Sequence, residues 1–308
     1  VPGGLRAGAG PLTQPWGLRR GERRRRFSHS PCHRETNPVT FQDKLRAAAE
    51  HNRSLLCVGL DPDPALLPAP VRGQDNPTLH FLKHIIDATA DLVCAYKPNF
   101  AFFGALGGRA WPTLKATLEH IPPSIPVLLD AKVGDIGNTA QQYARMFFEE
   151  LGADALTVNP YMGLDAVAPF LAYPDKGTFL LCLTSNKGAE DFEQQQLPDG
   201  PLYLRVARKA VEWNTAGNCG LVVGATQPGA FAQLRQHAPD LPFLVPGVGA
   251  QGGDLEAVVR HGIDRRGGGL LINASRAVLY AAKGPDFAQA ARTAAAQLRQ
   301  RIQACLPA

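Results

Sequence analysis

The chain has 308 residues, 45% of them hydrophobic and 19% charged, enough for one large core and well suited to a single α/β barrel of about 250 residues with an extension. No apolar stretch reaches the roughly 18 residues needed to span a bilayer, and the start lacks the apolar core of a secretory signal, so neither a membrane partner nor export is expected and a cytoplasmic protein is. The net charge of +5 is carried by one end, because residues 1–38 hold eight arginines against two glutamates, a local +6 that leaves −1 for the remainder.

Residues 1–38, with Arg23-Arg24-Arg25-Arg26 and many Gly and Pro, show no hydrophobic periodicity and are expected to form a disordered tail. The tail is read as dispensable, even as sequence upstream of a true start near Val39 to Phe41; a transit peptide or a nucleic-acid arm are the rival readings of its arginines. A near-neutral remainder offers no electrostatic footprint for DNA or RNA, so no nucleic-acid partner is expected.

From residue 41 onward short apolar runs alternate with amphipathic stretches. A helix over 41–51 is expected to cap a barrel bottom. Strands are expected at 55–60, 93–97, 126–131, 155–159, 178–184, 220–225, 242–246 and 269–273. The clearest helix is 139–151, where Ala140, Tyr143, Ala144, Phe147, Phe148 and Leu151 share one face. A last helix is expected between Asp286 and Leu306. The fold class is therefore α/β, a (β/α)8 TIM barrel forming a single domain over residues 39–308, with a doubly wound open sheet as the alternative that pattern alone leaves open.

The six cysteines are scattered without a C-x-x-C pair, which predicts free thiols and neither disulfides nor structural zinc. His80 and His84 have i, i+4 spacing but no H-E-x-x-H, so they read as an ordinary helix face and no metal site is expected.

Polar residues cluster at the strand ends: Asp61, Lys97, Asp130 with Lys132, Asn159, Ser185 with Asn186, Gln227, Gln251, and Ser275 with Arg276. In a barrel all of these converge on one mouth, where α/β enzymes place their chemistry. The richest segment is Asp130-Ala131-Lys132-Val133-Gly134-Asp135. A charge run of this kind is often a solvated face, but here it directly follows the apolar run Val127-Leu128-Leu129. In an extended strand Asp130 and Lys132 face the same way, with Asp135 in the loop beyond, so a cation is expected between two carboxylates.

Gly247-Val248-Gly249-Ala250-Gln251-Gly252-Gly253 follows an apolar strand and precedes Asp254-Leu255-Glu256, which can start a helix. Its G-x-G-x-x-G spacing also fits a dinucleotide fold, yet only one strand candidate remains downstream. In a barrel, the loops after strands seven and eight are the usual phosphate site, and Arg276 supplies a forked cation there.

These residues resemble the orotidine 5′-phosphate decarboxylase family, in its bacterial subgroup with longer chains, over nearly all of residues 41–306. The resemblance is carried by Gly59-Leu60-Asp61-Pro62, Tyr96-Lys97-Pro98-Asn99, the stretch from Asp130 to Thr139, Leu183-Thr184-Ser185-Asn186, Pro246 to Gly253, and Asn273-Ala274-Ser275-Arg276. Val133, where arginine is frequent, and Arg265-Arg266 depart from the pattern.

The resemblance implies decarboxylation of orotidine 5′-phosphate to UMP without cofactor or metal. It assigns the charged array to Lys97, Asp130, Lys132 and Asp135, with Lys132 as proton donor. It gives the ribose to Asp61, the pyrimidine to Ser185 and the phosphate to Gln251 and Arg276. Asp135 and Thr139 are implied to reach across a homodimer interface into a shared active site. A Mg2+-dependent phosphosugar lyase or synthase of the same barrel superfamily shares D-x-K-x-x-D and is the rival within enzymes.

Overall fold

The computed structural model describes residues 39–248 and 254–307. The body is a parallel barrel of eight strands: β1 (Leu56–Leu60), β2 (Ala95–Pro98), β3 (Leu128–Val133), β4 (Ala155–Val158), β5 (Gly177–Leu183), β6 (Cys219–Val223), β7 (Phe243–Val245) and β8 (Leu270–Ala274). Each expected strand is present, with ends shifted by one or two residues. The hydrogen-bonded order is β2-β1-β8-β7-β6-β5-β4-β3, and bridges Tyr96↔Val127 and Asn99↔Asp130 join β2 to β3 and close the ring. Closure leaves no unpaired edge and selects the barrel over the open sheet. A two-residue antiparallel hairpin, Gln196–Leu197 with Gly200–Pro201, decorates the loop after β5.

Side chains that point inward fill the barrel in layers. Cys57, Ala95, Leu128, Ala155, Phe179, Val222, Leu244 and Leu271 form one apolar floor, completed from below by Phe41 and Leu45. Phe41 starts the helix Phe41–Asn52, which Thr40 caps by accepting from the Asp43 amide, and its ring meets Phe179 edge-on at 5.7 Å. The expected plug is therefore an aromatic stopper. Outward-pointing strand residues pack against the surrounding helices in a separate, larger core, so burial on both faces explains why the strands read as continuous apolar runs.

The helix expected over 139–151 differs in form. It runs as an α-helix over Gly137–Ala144 and then widens into a π-helical turn over Arg145–Glu150. The anticipated face is kept: Ala140, Ala144, Phe147, Phe148 and Leu151 are buried, and the Phe147 ring meets Phe100 at 5.3 Å. The wider turn accommodates two adjacent phenylalanines facing the same core. The last helix spans Phe287–Ala304. His84 Nδ1 donates to the His80 carbonyl, and the ring lies against Phe287, an ordinary helix-face arrangement as expected. Cys57, Cys94, Cys182 and Cys219 are buried free thiols, and Cys305 is a half-buried one.

Candidate active site

The floor of small and branched residues stops one layer below the strand ends, and above it the inward positions turn polar. They surround a cavity of about 670 Å³ whose walls include Asp61, Lys97, Asp130, Lys132, Ser185, Asn186, Asn273, Ser275 and Arg276. Asn159 and Gln227, also expected there, do not line it. Asn159 accepts from the Tyr161 amide, so local turn chemistry accounts for it, whereas Gln227 stands just before the helix Pro228–His237 without a side-chain capping hydrogen bond. Gln251 lies outside the described residues, as do residues 1–38. Of the glycine loop, Gly247 is described, with φ +98°, and the following helix Leu255–Gly262 begins as anticipated with Asp254 as its cap.

At the centre is Asp130, 7% exposed. Its Oδ2 accepts from Lys97 Nζ at 2.8 Å, and its Oδ1 from Lys132 Nζ at 2.5 Å and Thr157 Oγ1 at 3.0 Å. Burial alone would push the Asp130 carboxyl up, but Lys97 and then Lys132 hold it well below the usual carboxylate range. Burial pulls the Lys97 ammonium down, and the charges of Asp130 and Asp61 more than reverse this, leaving it above the usual lysine value. The result is an alternation of charge along the cavity wall: Asp61, Lys97, Asp130, Lys132. Beneath it, burial pushes the Cys57 thiol up to about 12, so that group stays neutral.

Lys132 differs from expectation in how it gets there. It is not in extended conformation: its φ is +49°, and the β3–β4 register slips between Leu129 and Val133. A bulge, rather than simple strand alternation, returns its side chain toward Asp130. The side chain is 45% exposed at the cavity, whereas that of Lys97 is 4% exposed and locked. Both lysines line the cavity, but only the Lys132 side chain is widely open to it.

Asp135 does not complete a sandwich around Lys132 in this chain. Its Oδ1 accepts from the Ile136 amide at 2.8 Å, and among the described residues no salt bridge joins it to Lys132. The loop turns away after Val133, and Thr139 is exposed on the helix beyond.

The remaining wall depends on close backbone approach. A Cβ on Gly59 would come within 1.9 Å of Ser275 Oγ, and one on Gly224 within 2.6 Å of the Ser185 amide nitrogen, so both positions require glycine for the wall to close. The Thr184 amide and hydroxyl are held by Glu193, at 2.6 Å and 2.9 Å, which secures the strand end that carries Ser185. Asp61 Oδ1 and Asn273 Oδ1 are buried without a hydrogen-bond partner among the described residues. Acceptors left open in a cavity wall suit a ligand that brings hydroxyl or N–H donors. Thr157, Glu193 and Gly224 were not singled out from sequence, since each acts through a neighbour that only the closed barrel supplies. No group of three or more His, Cys, Asp or Glu side chains placed to hold a metal ion occurs among the described residues.

Comparison with known proteins agrees with this geometry. The family model described as the orotidine 5′-phosphate decarboxylase / HUMPS family matches residues 54–294. Orotidine 5′-phosphate decarboxylase from Azoarcus sp. (strain BH72) is 56% identical over 268 residues, covering 86% of this chain and 98% of that protein. The protein of that name from Roseiflexus castenholzii is 53% identical over 272 residues, covering 88% and 100%. Among solved structures, Leishmania donovani OMP decarboxylase superposes with a TM-score of 0.78 at 43% identity, covering 87% of this chain and 99% of that one. This chain belongs to the orotidine 5′-phosphate decarboxylase / HUMPS family.

Proposed function

We propose that this chain is an orotidine 5′-phosphate decarboxylase, a carboxy-lyase of UMP biosynthesis, and the observation that carries the reading is the Lys97–Asp130–Lys132 array at the barrel mouth, in which Lys97 and Asp130 are buried and Lys132 opens to the cavity. Decarboxylation breaks the bond from the pyrimidine ring to its carboxylate, releases CO2 and leaves an electron pair on an sp2 ring carbon with no electron sink. The catalyst must stabilise that pair electrostatically and then protonate it. Lys132, cationic and open to the cavity, gives its proton to the ring carbon and is recharged from solvent. Asp130 stands where the substrate carboxylate meets it, disfavouring the charged ground state relative to the carbanion. Lys97 keeps Asp130 ionised, and the Asp130 carboxylate in turn keeps Lys97 charged.

The other roles follow from position around the same cavity. Ser185 reads the pyrimidine, Asp61 takes a ribose hydroxyl, and Arg276 with Gln251 grips the phosphate. Phosphate binding at a distance from the ring supplies binding energy that appears in the rate.

Asp135 and Thr139 act in the site of a second copy, in a homodimer with shared active sites. Support comes from the loops beside them: Ile136, Tyr161, Met162, Leu164 and Phe192 leave large apolar side chains exposed, with Tyr161 at 78%, and the rings of Tyr161 and Phe192 lie 6.4 Å apart. Exposed apolar side chains of this size support a surface that a second copy covers.

Residues 39–308 form the catalytic domain in this reading, acting in the cytoplasm, and residues 1–38 are dispensable. Among the described residues no helix is long and apolar enough to cross a membrane. Spectrophotometric loss of orotidine 5′-phosphate, followed with and without EDTA, tests the reaction. Turnover indifferent to chelation is expected, and activity that disappears with EDTA would favour a Mg2+-dependent phosphosugar enzyme.

A further inference from the structure

We propose that Thr157 is a positioning residue that holds Lys132 in its reactive placement, an inference that rests on the reading of Lys132 as proton donor. Thr157 lies on β4, 1% exposed, one strand away from the lysine. Its hydroxyl oxygen accepts from the Ala131 amide at 3.0 Å and the Lys132 amide at 2.9 Å, while its proton goes to Asp130 Oδ1 at 3.0 Å. A hydroxyl has one proton and two lone pairs, so these three partners use it completely and leave its rotor a single orientation.

The two amides are those at the β3 bulge. There the ladder with β4 slips between Leu129 and Val133, which takes Ala131 and Lys132 out of regular strand pairing. The same bulge places Lys132 at φ +49°, a left-handed conformation that a non-glycine residue holds only when its surroundings impose it. Thr157 supplies that imposition: it satisfies the amides in the left-handed form and ties the same turn to the carboxylate that receives the lysine. Without the hydroxyl, the Lys132 backbone is free to relax toward negative φ and carry its ammonium off the cavity. Asp130 loses one of its donors in the same step. Lys97, approaching Oδ2 from β2, does not depend on the hydroxyl, so substrate binding elsewhere in the cavity stays intact.

The test is Thr157→Val, which keeps the shape and removes the hydroxyl. We expect kcat to fall on the order of tenfold to a hundredfold, the range for loss of a buried hydrogen bond to a charged group. The KM for orotidine 5′-phosphate and the affinity for UMP should stay within about threefold, and Thr157→Ser should recover kcat to within about threefold. If the valine variant does not fold, Thr157→Ala is measured in the same way. Unchanged kcat, parallel loss of kcat and UMP affinity, or a serine variant as slow as valine would overturn the proposal. Lys132→Ala run alongside separates the two claims. Near-normal turnover there would remove the donor reading and this inference with it, whereas an inactive Lys132→Ala beside a fully active Thr157→Val removes this inference alone.

Discussion

At the lower end of the barrel Asn52, Ser54 and Arg235 direct their donors to backbone carbonyls, whereas at the mouth Lys97, Lys132 and Thr157 converge on one carboxylate. Asn52 Nδ2 reaches the Ala90 and Val93 carbonyls and Ser54 Oγ that of Leu92. Arg235 bonds to the carbonyls of Gly262, Ala238, Pro239, Leu241 and Gly269 and lies 3.8 Å from the centre of the Phe243 ring. These groups close loops and satisfy peptide groups that would otherwise be buried without partners. The mouth concentrates charge and leaves acceptors open toward a cavity, an arrangement that adds little to stability, since a buried ion pair repays its desolvation only in part. Lower-end residues should therefore govern unfolding, and mouth residues turnover.

The strongest way to break that division is Lys132→Ala. Decarboxylation should drop by on the order of 10⁴-fold or more, because both the electrostatic stabilisation and the proton are lost, while the melting temperature stays close to that of the unaltered protein. Near-normal UMP formation would refute the assignment.

Next in size is recovery in trans. Lys132→Ala and Asp135→Ala chains, each inactive alone, should regain about a quarter of full activity when refolded together. Random pairing makes half the dimers mixed, and each mixed dimer has one intact site of two. No recovery, with mixed dimers demonstrated by differential tagging, would place Asp135 outside a shared site.

Arg276→Ala should raise KM for orotidine 5′-phosphate by on the order of a hundredfold through loss of a charge-assisted phosphate contact, and should leave turnover of the phosphate-free nucleoside as it was. A nucleoside penalty equal to that of the nucleotide would show that Arg276 does not read phosphate.

The reverse test is at the lower end. Arg235→Ala strands several carbonyls and should cost about 2–4 kcal/mol of stability in urea unfolding, with kcat unchanged. A loss of kcat without a loss of stability would contradict the comparison.

The smallest effect expected is with pH. The Asp130 carboxyl is depressed from 3.8, so the stability it contributes is complete above that value and is lost as pH falls through the lower native one. The Lys97 ammonium is raised from 10.5, so its contribution is complete below that value and is lost as pH rises through the higher native one. Between about pH 5 and 9 neither group titrates, and a profile of kcat/KM there should carry no limb from either. A limb that disappears in Lys97→Met would contradict this.

Most of the barrel was legible because strand burial on both faces writes itself as uninterrupted apolar runs, and eight of them alternated with amphipathic stretches. Lys97, Asp130, Ser185 and Arg276 were legible as polar groups at the ends of those runs. Asn159 and Gln227 met the same criterion and do not line the cavity, Asn159 holding a local turn instead, so position at a strand end is not by itself membership of the site. Thr157 was invisible by that criterion. It sits within an apolar strand and acquires its role only from the amides of the neighbouring one.

By itself the sequence determined the class of fold and the set of charges at the mouth, since hydrophobic period and residue type are local properties. Tertiary structure decided which carboxylate each lysine meets, that Lys132 reaches Asp130 through a left-handed bulge, and that Asp135 turns away from it. Those outcomes depend on strand register and barrel closure, which bring together residues whose separation along the chain carries no trace of their contact.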